Sequence, residues 1–364
     1  MEMNIAQQSL ILDGERYTAN DITRLEQLAE EKVDTSLSDL CHFLRRWFDG
    51  TPCIEVSTSG STGTPKKMQV RKDRMMQSAR LTCEYLNLQP GDKALLCMNL
   101  RYIGAMMMVV RSLVARLDLM VRPASSHPLA DVDTPLRFAA MVPLQVYGML
   151  QIPEEKRRLM QTDVLIIGGG ATDEALEKDI RMLPGAVYST YGMTETLSHI
   201  ALRRLNGAQA SDRYYPFASV RLSLSPEDTL IIDAPLVCDV PLQTNDIAHL
   251  YPDGSFTILG RRDNVINSGG IKIQAEEVER RLRSLISRPF VITSIPDKRL
   301  GQAVTLLLEA QSPLSPDDIK QLQADMTSLL PPYHCPKHIV CIEKIPLTGN
   351  GKIDRPACRL AAIQ

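Results

Sequence analysis

Residues 163–195 read DVLIIGGGATDEALEKDIRMLPGAVYSTYGMTE, and this stretch decides the fold. Residues 163–167 form a strand-like run that stops at three glycines, residues 172–183 a helix candidate, and residues 186–190 a second strand-like run. Strand, helix, strand is the repeating unit of a parallel sheet with helices on its faces. The same alternation reaches back to about residue 73, with helix candidates at residues 73–86, 103–116 and 134–150 and strand-like runs at 94–99 and 118–121. Beyond residue 213 the texture changes to short strands with turn punctuation, such as residues 223–227 and Pro252-Asp253-Gly254. After Gly260 come a charged turn, a glycine pair, a charged helix over 275–284, and then strands and a helix over 316–330. The expected fold is α/β: a large N-terminal domain of parallel-type layers with a small β-rich subdomain (1–262), then a small α+β lid domain (263–364).

A chain of 364 residues, 44% hydrophobic and 23% charged, has the composition of a well-cored globular protein. Its 41 basic and 43 acidic residues leave a net charge of -2, which gives nucleic acid or an acidic membrane no electrostatic hold. A small-molecule ligand is the better expectation. The eight cysteines form no CxxC pair and the N-terminus lacks a signal-peptide pattern, so a reducing cytoplasm is expected. The apolar stretch 102–110 is stopped by Arg111 and Arg116, short of the ~20 apolar residues of a membrane span, and reads as a buried helix. His334, Cys335, His338 and Cys341 are metal-ligand residue types, but Pro336 and the strand-like run around Ile339, Val340 and Ile342 argue against a zinc site. The oligomeric state is open, a homodimer being compatible with the sequence.

Four segments carry chemistry. The first is Ser57-Thr58-Ser59-Gly60-Ser61-Thr62-Gly63-Thr64-Pro65-Lys66, where small and hydroxylated residues let backbone N–H groups surround a polyphosphate and Lys66 adds positive charge. It is not a Walker A loop, because Thr64-Pro65 separates Gly63 from the lysine; a flexible Ser/Thr/Gly linker is the alternative. The second is Tyr191-Gly192-Met193-Thr194-Glu195, directly after a strand, where ligands of parallel sheets sit. Glu195 suits Mg²⁺, which is held by one or two carboxylates plus phosphates. The third pairs Asp246 with Arg261, a carboxylate and a guanidinium suited to a ribose diol, or else an exposed ion pair of little worth. The fourth is Pro346-Leu347-Thr348-Gly349-Asn350-Gly351-Lys352, a glycine-flanked loop able to deliver one lysine to a developing charge.

In this order the four segments resemble, nearly position for position, those of the acyl-adenylate-forming superfamily of acyl- and aryl-CoA ligases, peptide-synthetase adenylation domains and beetle luciferases. The resemblance covers about residues 53–355. It implies that Ser59, Gly60, Ser61, Thr62, Gly63 and Lys66 cradle the β- and γ-phosphates of ATP, that Tyr191 stacks on adenine and that Gly169 and Gly170 line the adenine and acyl pocket. Thr194 then contacts the α-phosphate, Glu195 holds Mg²⁺, and Asp246 with Arg261 holds the ribose. Lys352 bridges the acid's carboxylate and the α-phosphate during adenylation. Asp263 resembles the hinge about which the lid turns, bringing Ser268, Gly269 and Gly270 to the passage of coenzyme A.

Within the superfamily, the segments YGMTETLSHI (191–200) and VLIIGGG (164–170), with Gly104 and Arg111, resemble the o-succinylbenzoate:CoA ligase family of menaquinone synthesis. That likeness implies an aromatic dicarboxylic acid as substrate, with Tyr102, Arg111, Ser198 and His199 as polar residues of the acid pocket. Two departures stand out: only about fifty residues precede the phosphate loop, and Arg101-Tyr102-Ile103-Gly104 replaces an aromatic-His-x-Gly segment. Two further readings are an enzyme that loads a carrier-protein thiol and a non-catalytic nucleotide-binding scaffold. The scaffold does not account for Lys66, Glu195, Asp246, Arg261 and Lys352 occurring together.

Overall fold

A computed structural model describes residues 1, 3–57, 67–170, 172, 174–348 and 352–363. The expected phosphate loop (Ser59, Gly60, Ser61, Thr62, Gly63, Lys66) and Gly349–Gly351 lie outside the described residues. Packing divides the chain into two compact units. The first holds residues 1–221, 232–242 and 252–255; the second holds 222–231, 243–251 and everything from Phe256 on.

The first unit is built on a nine-stranded sheet whose order is Tyr215–Pro216, His199–Arg204, Ala186–Gly192, Thr162–Ile167, Leu136–Met141, Lys93–Leu96, Asp118–Val121, Leu10–Leu12, Glu15–Tyr17. From Ala186–Gly192 to Leu10–Leu12 every neighbouring pair is parallel; antiparallel strands close both edges. The carboxyl ends of the parallel strands therefore share one edge, where α/β sheets bind ligands. Helix Ile103–Ala115 shows why this sheet is dry: residues 105–115 are all buried, as an apolar helix enclosed on every side must be.

Residues 134–150 do not form the single helix expected. Leu136–Met141 is a central strand, with Phe138 opposite Ala94 on one side and Val164 on the other, and a helix begins only at Pro143. Leu136 and Phe138–Met141 are all buried, with only Arg137 polar among them, and a run buried on both faces lacks the alternation that distinguishes strand from helix. Proline removes a helical hydrogen bond in mid-helix but costs nothing in the first turn, so Pro143 starts the helix rather than continuing one. The N-terminal region supplies the hairpin Leu10–Leu12/Glu15–Tyr17 and helices Ile22–Lys32 and Thr35–Trp47; Trp47 Nε1 donates to Gln8 Oε1 at 2.8 Å inside the core.

The second unit takes in most of a four-stranded sheet, Arg221–Leu224, Thr229–Asp233, Leu242–Leu250 and Phe256–Arg261. It continues into a five-stranded sheet of Ile271–Gln274, Val265–Ser268, Gly301–Glu309, Phe290–Asp297 and His338–Ile342. Helices Ala275–Leu282 and Pro316–Leu329 cover it through Val278, Leu282 and Met326 packed on Ile266, Val304 and Leu306. Strand His338–Ile342 runs parallel to Gly301–Glu309, which sends His338 and Cys341 to opposite faces. Among the described residues no helix is long and apolar enough to cross a membrane.

Candidate functional site

In the first unit, strand Ala186–Gly192 turns through 193–198 into the antiparallel strand His199–Arg204. Three features fix this turn, which carries Thr194 and Glu195. Gly192 closes it: a Cβ there would meet the Ser198 carbonyl oxygen at 2.2 Å, so no other residue fits. The fully buried Thr196 knots it, its hydroxyl receiving the Met193 N–H at 2.9 Å and lying 2.7 Å from the Ser198 carbonyl oxygen. Leu197 takes a left-handed backbone (φ 65°) and donates its N–H to the Thr194 carbonyl at 2.9 Å. Glu195 is exposed, and its carboxylate makes no hydrogen bond or ion pair among the described residues, although its carbonyl accepts from Cys238 Sγ at 3.3 Å. An exposed carboxylate on a rigid turn at the ligand edge fits a divalent cation.

Tyr191 ends the strand half-buried, its ring 5.8 Å from that of Tyr214. Tyr214 is itself held by a 2.9 Å hydrogen bond with Ser189 and by the Arg203 guanidinium 5.6 Å from its ring. Arg203 in turn pairs with Glu177, which also accepts from Thr172 at 2.7 Å. Tyr191 is thus one face of a braced aromatic ledge. Gly169 and Gly170, at the carboxyl end of Thr162–Ile167, lie against Val142 and Pro143.

Of the four residues expected in an acid pocket, three come together. Arg111 Nη2 donates to Ser198 Oγ at 2.7 Å, Ser198 Oγ lies 3.3 Å from His199 Nδ1, and His199 Nε2 lies 3.0 Å from Thr82 Oγ1. Burial, with the Arg111 charge beside it, holds the His199 imidazole well below its ordinary pKa, so it is neutral. Tyr102 stands apart: it is exposed before the first turn of helix Ile103–Ala115, and nine residues of helix place it ~13 Å along the axis from Arg111. Arg101 is exposed as well.

In the second unit, Asp246 and Arg261 are register partners on adjacent strands. Arg261 Nη1 donates to Asp246 Oδ1 at 3.1 Å and Nη2 to Asp263 Oδ2 at 2.9 Å, while Asn245 Nδ2 donates to Asp263 Oδ2 at 3.2 Å. The expected hinge residue is therefore tied to the expected ribose residues. Lys352 is exposed overall, yet loss of hydration around its ammonium and the nearby Arg261 charge hold its pKa below the lysine range, with Asp246 opposing. Ser268 ends strand Val265–Ser268, and Gly269 (φ 60°) and Gly270 (φ 83°) form the two-residue turn to Ile271–Gln274. Positive φ at both turn positions is the demand of a type I′ hairpin, which explains the glycine pair without any ligand.

The turn's knot and the ledge's backing were not singled out in the sequence. A threonine in a tight turn could have flagged Thr196, because its hydroxyl can replace a backbone partner; nothing local marks Tyr214.

Set beside known proteins, the chain is 25% identical over 331 residues to a probable 2-succinylbenzoate–CoA ligase of Mycobacterium tuberculosis, with 85% of this chain and 84% of that protein covered. A crystal structure of an AMP-forming acyl-CoA synthetase/AMP-acid ligase II-like protein from Dyadobacter fermentans is 33% identical, covers 89% of this chain and 94% of that one, and has a TM-score of 0.62. The o-succinylbenzoate coenzyme A synthetase of Bacillus subtilis, solved in complex with ATP and magnesium ion, shares the fold at 21% identity and a TM-score of 0.68, over 83% of this chain and 68% of that one. The AMP-binding enzyme family matches residues 26–233, more than half of the chain and the whole stretch from the N-terminal helices through the Tyr191–Glu195 turn. With its ligand edge, fixed turn and aromatic ledge in that span, this chain belongs to the AMP-binding enzyme family.

Proposed function

We propose that the chain is an AMP-forming acid:CoA ligase acting on 2-succinylbenzoate in the cytoplasm. In the first half-reaction a carboxylate oxygen attacks the α-phosphorus of ATP, forming the acyl-adenylate and expelling pyrophosphate. In the second, the thiol of coenzyme A attacks the acyl carbon, forming the thioester and releasing AMP. The observation that carries this reading is similarity along almost the whole chain to a probable ligase of that name, reaching across both units rather than one motif. All eight cysteines are unpaired thiols, which favours the reducing compartment.

Each residue then has a task. Tyr191, braced by Tyr214, supports the adenine ring, and Thr194 meets the α-phosphate from a turn that Thr196 keeps rigid. Glu195 holds Mg²⁺, which neutralises phosphate charge. Asp246, oriented by Arg261, accepts from the ribose hydroxyls. Lys352 offsets the charge that grows on the α-phosphate oxygens, an interaction strongest in the transition state. Ser59–Lys66 take the outer phosphates, and Ser268, Gly269 and Gly270 serve the thiol-transfer half-reaction.

The test is acid-dependent pyrophosphate release with 2-succinylbenzoate, benzoate and a medium-chain fatty acid, first without and then with coenzyme A. Sites that hydrogen-bond a substrate group reject analogues lacking it by on the order of 10⁴, so 2-succinylbenzoate should lead in kcat/KM by a wide margin. Coenzyme A should then be consumed with AMP release. A fatty acid turned over equally well overturns the substrate but not the ligase; pyrophosphate release without coenzyme A consumption overturns the acceptor.

A further inference from the structure

We infer that Thr348 is a positioning residue for adenylation: its hydroxyl stands in for a backbone hydrogen-bonding group and so fixes the point of the chain from which Lys352 presents its ammonium. The inference rests on the ligase reading above, in which Lys352 offsets charge during adenylation, and deepens it by naming what aims that lysine.

Lys352 lies on one leg of a narrow antiparallel arm in the second unit, and both legs rise from anchored ground. On one side Ile345 is buried with Val291, Leu307 and Cys358, and its N–H donates to Glu309 Oε2 at 2.9 Å. On the other, Cys358 belongs to helix Arg355–Ala361, which Asp354 caps by accepting the Ala357 N–H at 3.0 Å. From these anchors the legs are joined rung by rung. The Asp354 N–H donates to the Pro346 carbonyl at 3.0 Å, Leu347 and Ile353 form an antiparallel bridge, and the Thr348 N–H donates to the Lys352 carbonyl at 2.7 Å.

The return bond of that last rung departs from a regular ladder, in which hydrogen-bonded antiparallel partners exchange two backbone N–H to carbonyl bonds. The Lys352 N–H, whose partner in such a ladder is the Thr348 carbonyl, donates to Thr348 Oγ1 at 3.1 Å, and the same hydroxyl donates to the Lys352 carbonyl at 3.1 Å. Threonine hydroxyls compete for nearby backbone groups in this way. Any residue at 348 could make the backbone bond, but these two need a hydroxyl. Both partners are near solvent, so water can serve them once the hydroxyl is gone, and folding should hardly change. Aim should change more. The Lys352 ammonium is within the influence of Arg261 and Asp246, the pair proposed to hold the ribose, so a shift of the arm moves it relative to the nucleotide site. A charge that acts by being in place beforehand is sensitive to this, and a misplacement of about 1 Å costs on the order of 10²-fold in rate.

Thr348→Val keeps the branched shape and removes both hydroxyl bonds, whereas Thr348→Ser keeps the bonds. The experiment measures pyrophosphate release, the KM for ATP and thioester formation from supplied acyl-adenylate in both variants, and repeats Thr348→Val in a Lys352→Ala background. Thr348→Val should lower kcat for pyrophosphate release by ~10-fold or more, with the KM for ATP and the transfer half-reaction within ~2-fold of the wild type, and Thr348→Ser should recover most of the loss. With Lys352→Ala already present, Thr348→Val should cost nothing further, because a residue that acts through Lys352 has nothing left to position. Full activity of Thr348→Val overturns the inference. So does an equal loss in both half-reactions, a loss accompanied by a lowered Tm that Thr348→Ser shares, or an undiminished further loss on top of Lys352→Ala. If Lys352→Ala itself releases pyrophosphate at the wild-type rate, the role proposed for Lys352 fails and the inference falls with it. If Lys352→Ala is impaired and Thr348→Val is not, the inference alone fails and the ligase reading stands.

Discussion

Arg111 in the first unit and Arg355 in the second are both drawn out of water, and their surroundings treat them in opposite ways. Arg355 opens the helix Arg355–Ala361 and grips Glu279 with two hydrogen bonds of 2.8 Å, while also donating to the Ile292 carbonyl at 3.1 Å. Glu279, 6% exposed, also accepts the Ile292 N–H at 2.8 Å, so both charges are answered from within the unit. Arg111 has a hydroxyl and a sulfur. A charge that is fully paired locks a helix to a sheet; a charge enclosed without a counter-charge is a cost to folding. The two arginines therefore set a charge answered within its own unit against one that no carboxylate among the described residues answers.

The largest expected effect tests that separation directly. Arg355→Met strands the Glu279 carboxylate, whose pKa burial already pushes up, and should cost ~3 kcal/mol or more of stability. Arg111→Met removes an uncompensated charge from an apolar helix and should leave the ligand-free protein as stable as the wild type or more so. Urea unfolding of the two variants side by side checks this. Equal destabilisation would mean that Arg111 is paired in a way that makes it a structural residue, and the contrast would dissolve.

A second test moves from folding to rate. Lys352→Ala should lower pyrophosphate release by ~10²–10³, as losing one preorganised charge donor does, while transfer from supplied acyl-adenylate stays close to normal. Gly270→Trp should chiefly impair transfer. A Cβ there would meet nothing within 4 Å, and the variant carries the strain of a positive φ (83°). Gly270→Asn, which tolerates that backbone better, separates strain from bulk. Rapid-quench measurement of both half-reactions decides: if Gly270→Asn and Gly270→Trp impair transfer equally, the turn matters for its shape and not as a passage.

The sequence exposed the ligand edge because glycines and a Tyr-Gly-x-Thr-Glu turn follow strand-like runs at 163–167 and 186–190, and strand ends are where such residues matter. It hid the strand Leu136–Met141 because burial on both faces erases the alternation that marks a strand. Arg111 is expected in the acid pocket from the sequence, but its lack of a counter-charge is not legible there. Counter-charge is a property of what the fold brings near, and Ser198 is 87 residues away in sequence. Tyr214 behind Tyr191 was invisible for the same reason. The glycine pair at 269–270 was read as room for a ligand, and the hairpin gives it a second cause that composition alone cannot separate from the first.

Lys352 stands between the two arginines, and the smallest prediction uses it to grade the contrast. Loss of hydration around its ammonium lowers its pKa, the Arg261 guanidinium lowers it further, and Asp246 raises it, so its charge is only partly answered. Because the ammonium is the active form, adenylation is complete below the pKa of Lys352 and declines as pH rises through it. The depressed pKa therefore puts the alkaline limb of the pyrophosphate-release profile below the ordinary lysine value of about 10.4. Followed as kcat/KM for ATP, which reports the free enzyme, Asp246→Asn removes the carboxylate that raises this pKa and should move that limb to still lower pH. Lys352→Arg, always protonated, should abolish the limb whatever activity it retains. A limb that stays put in Asp246→Asn would mean that the carboxylate does not act on the ammonium during the reaction. Lys352 would then belong with Arg111, as a charge that no carboxylate answers, rather than with Arg355.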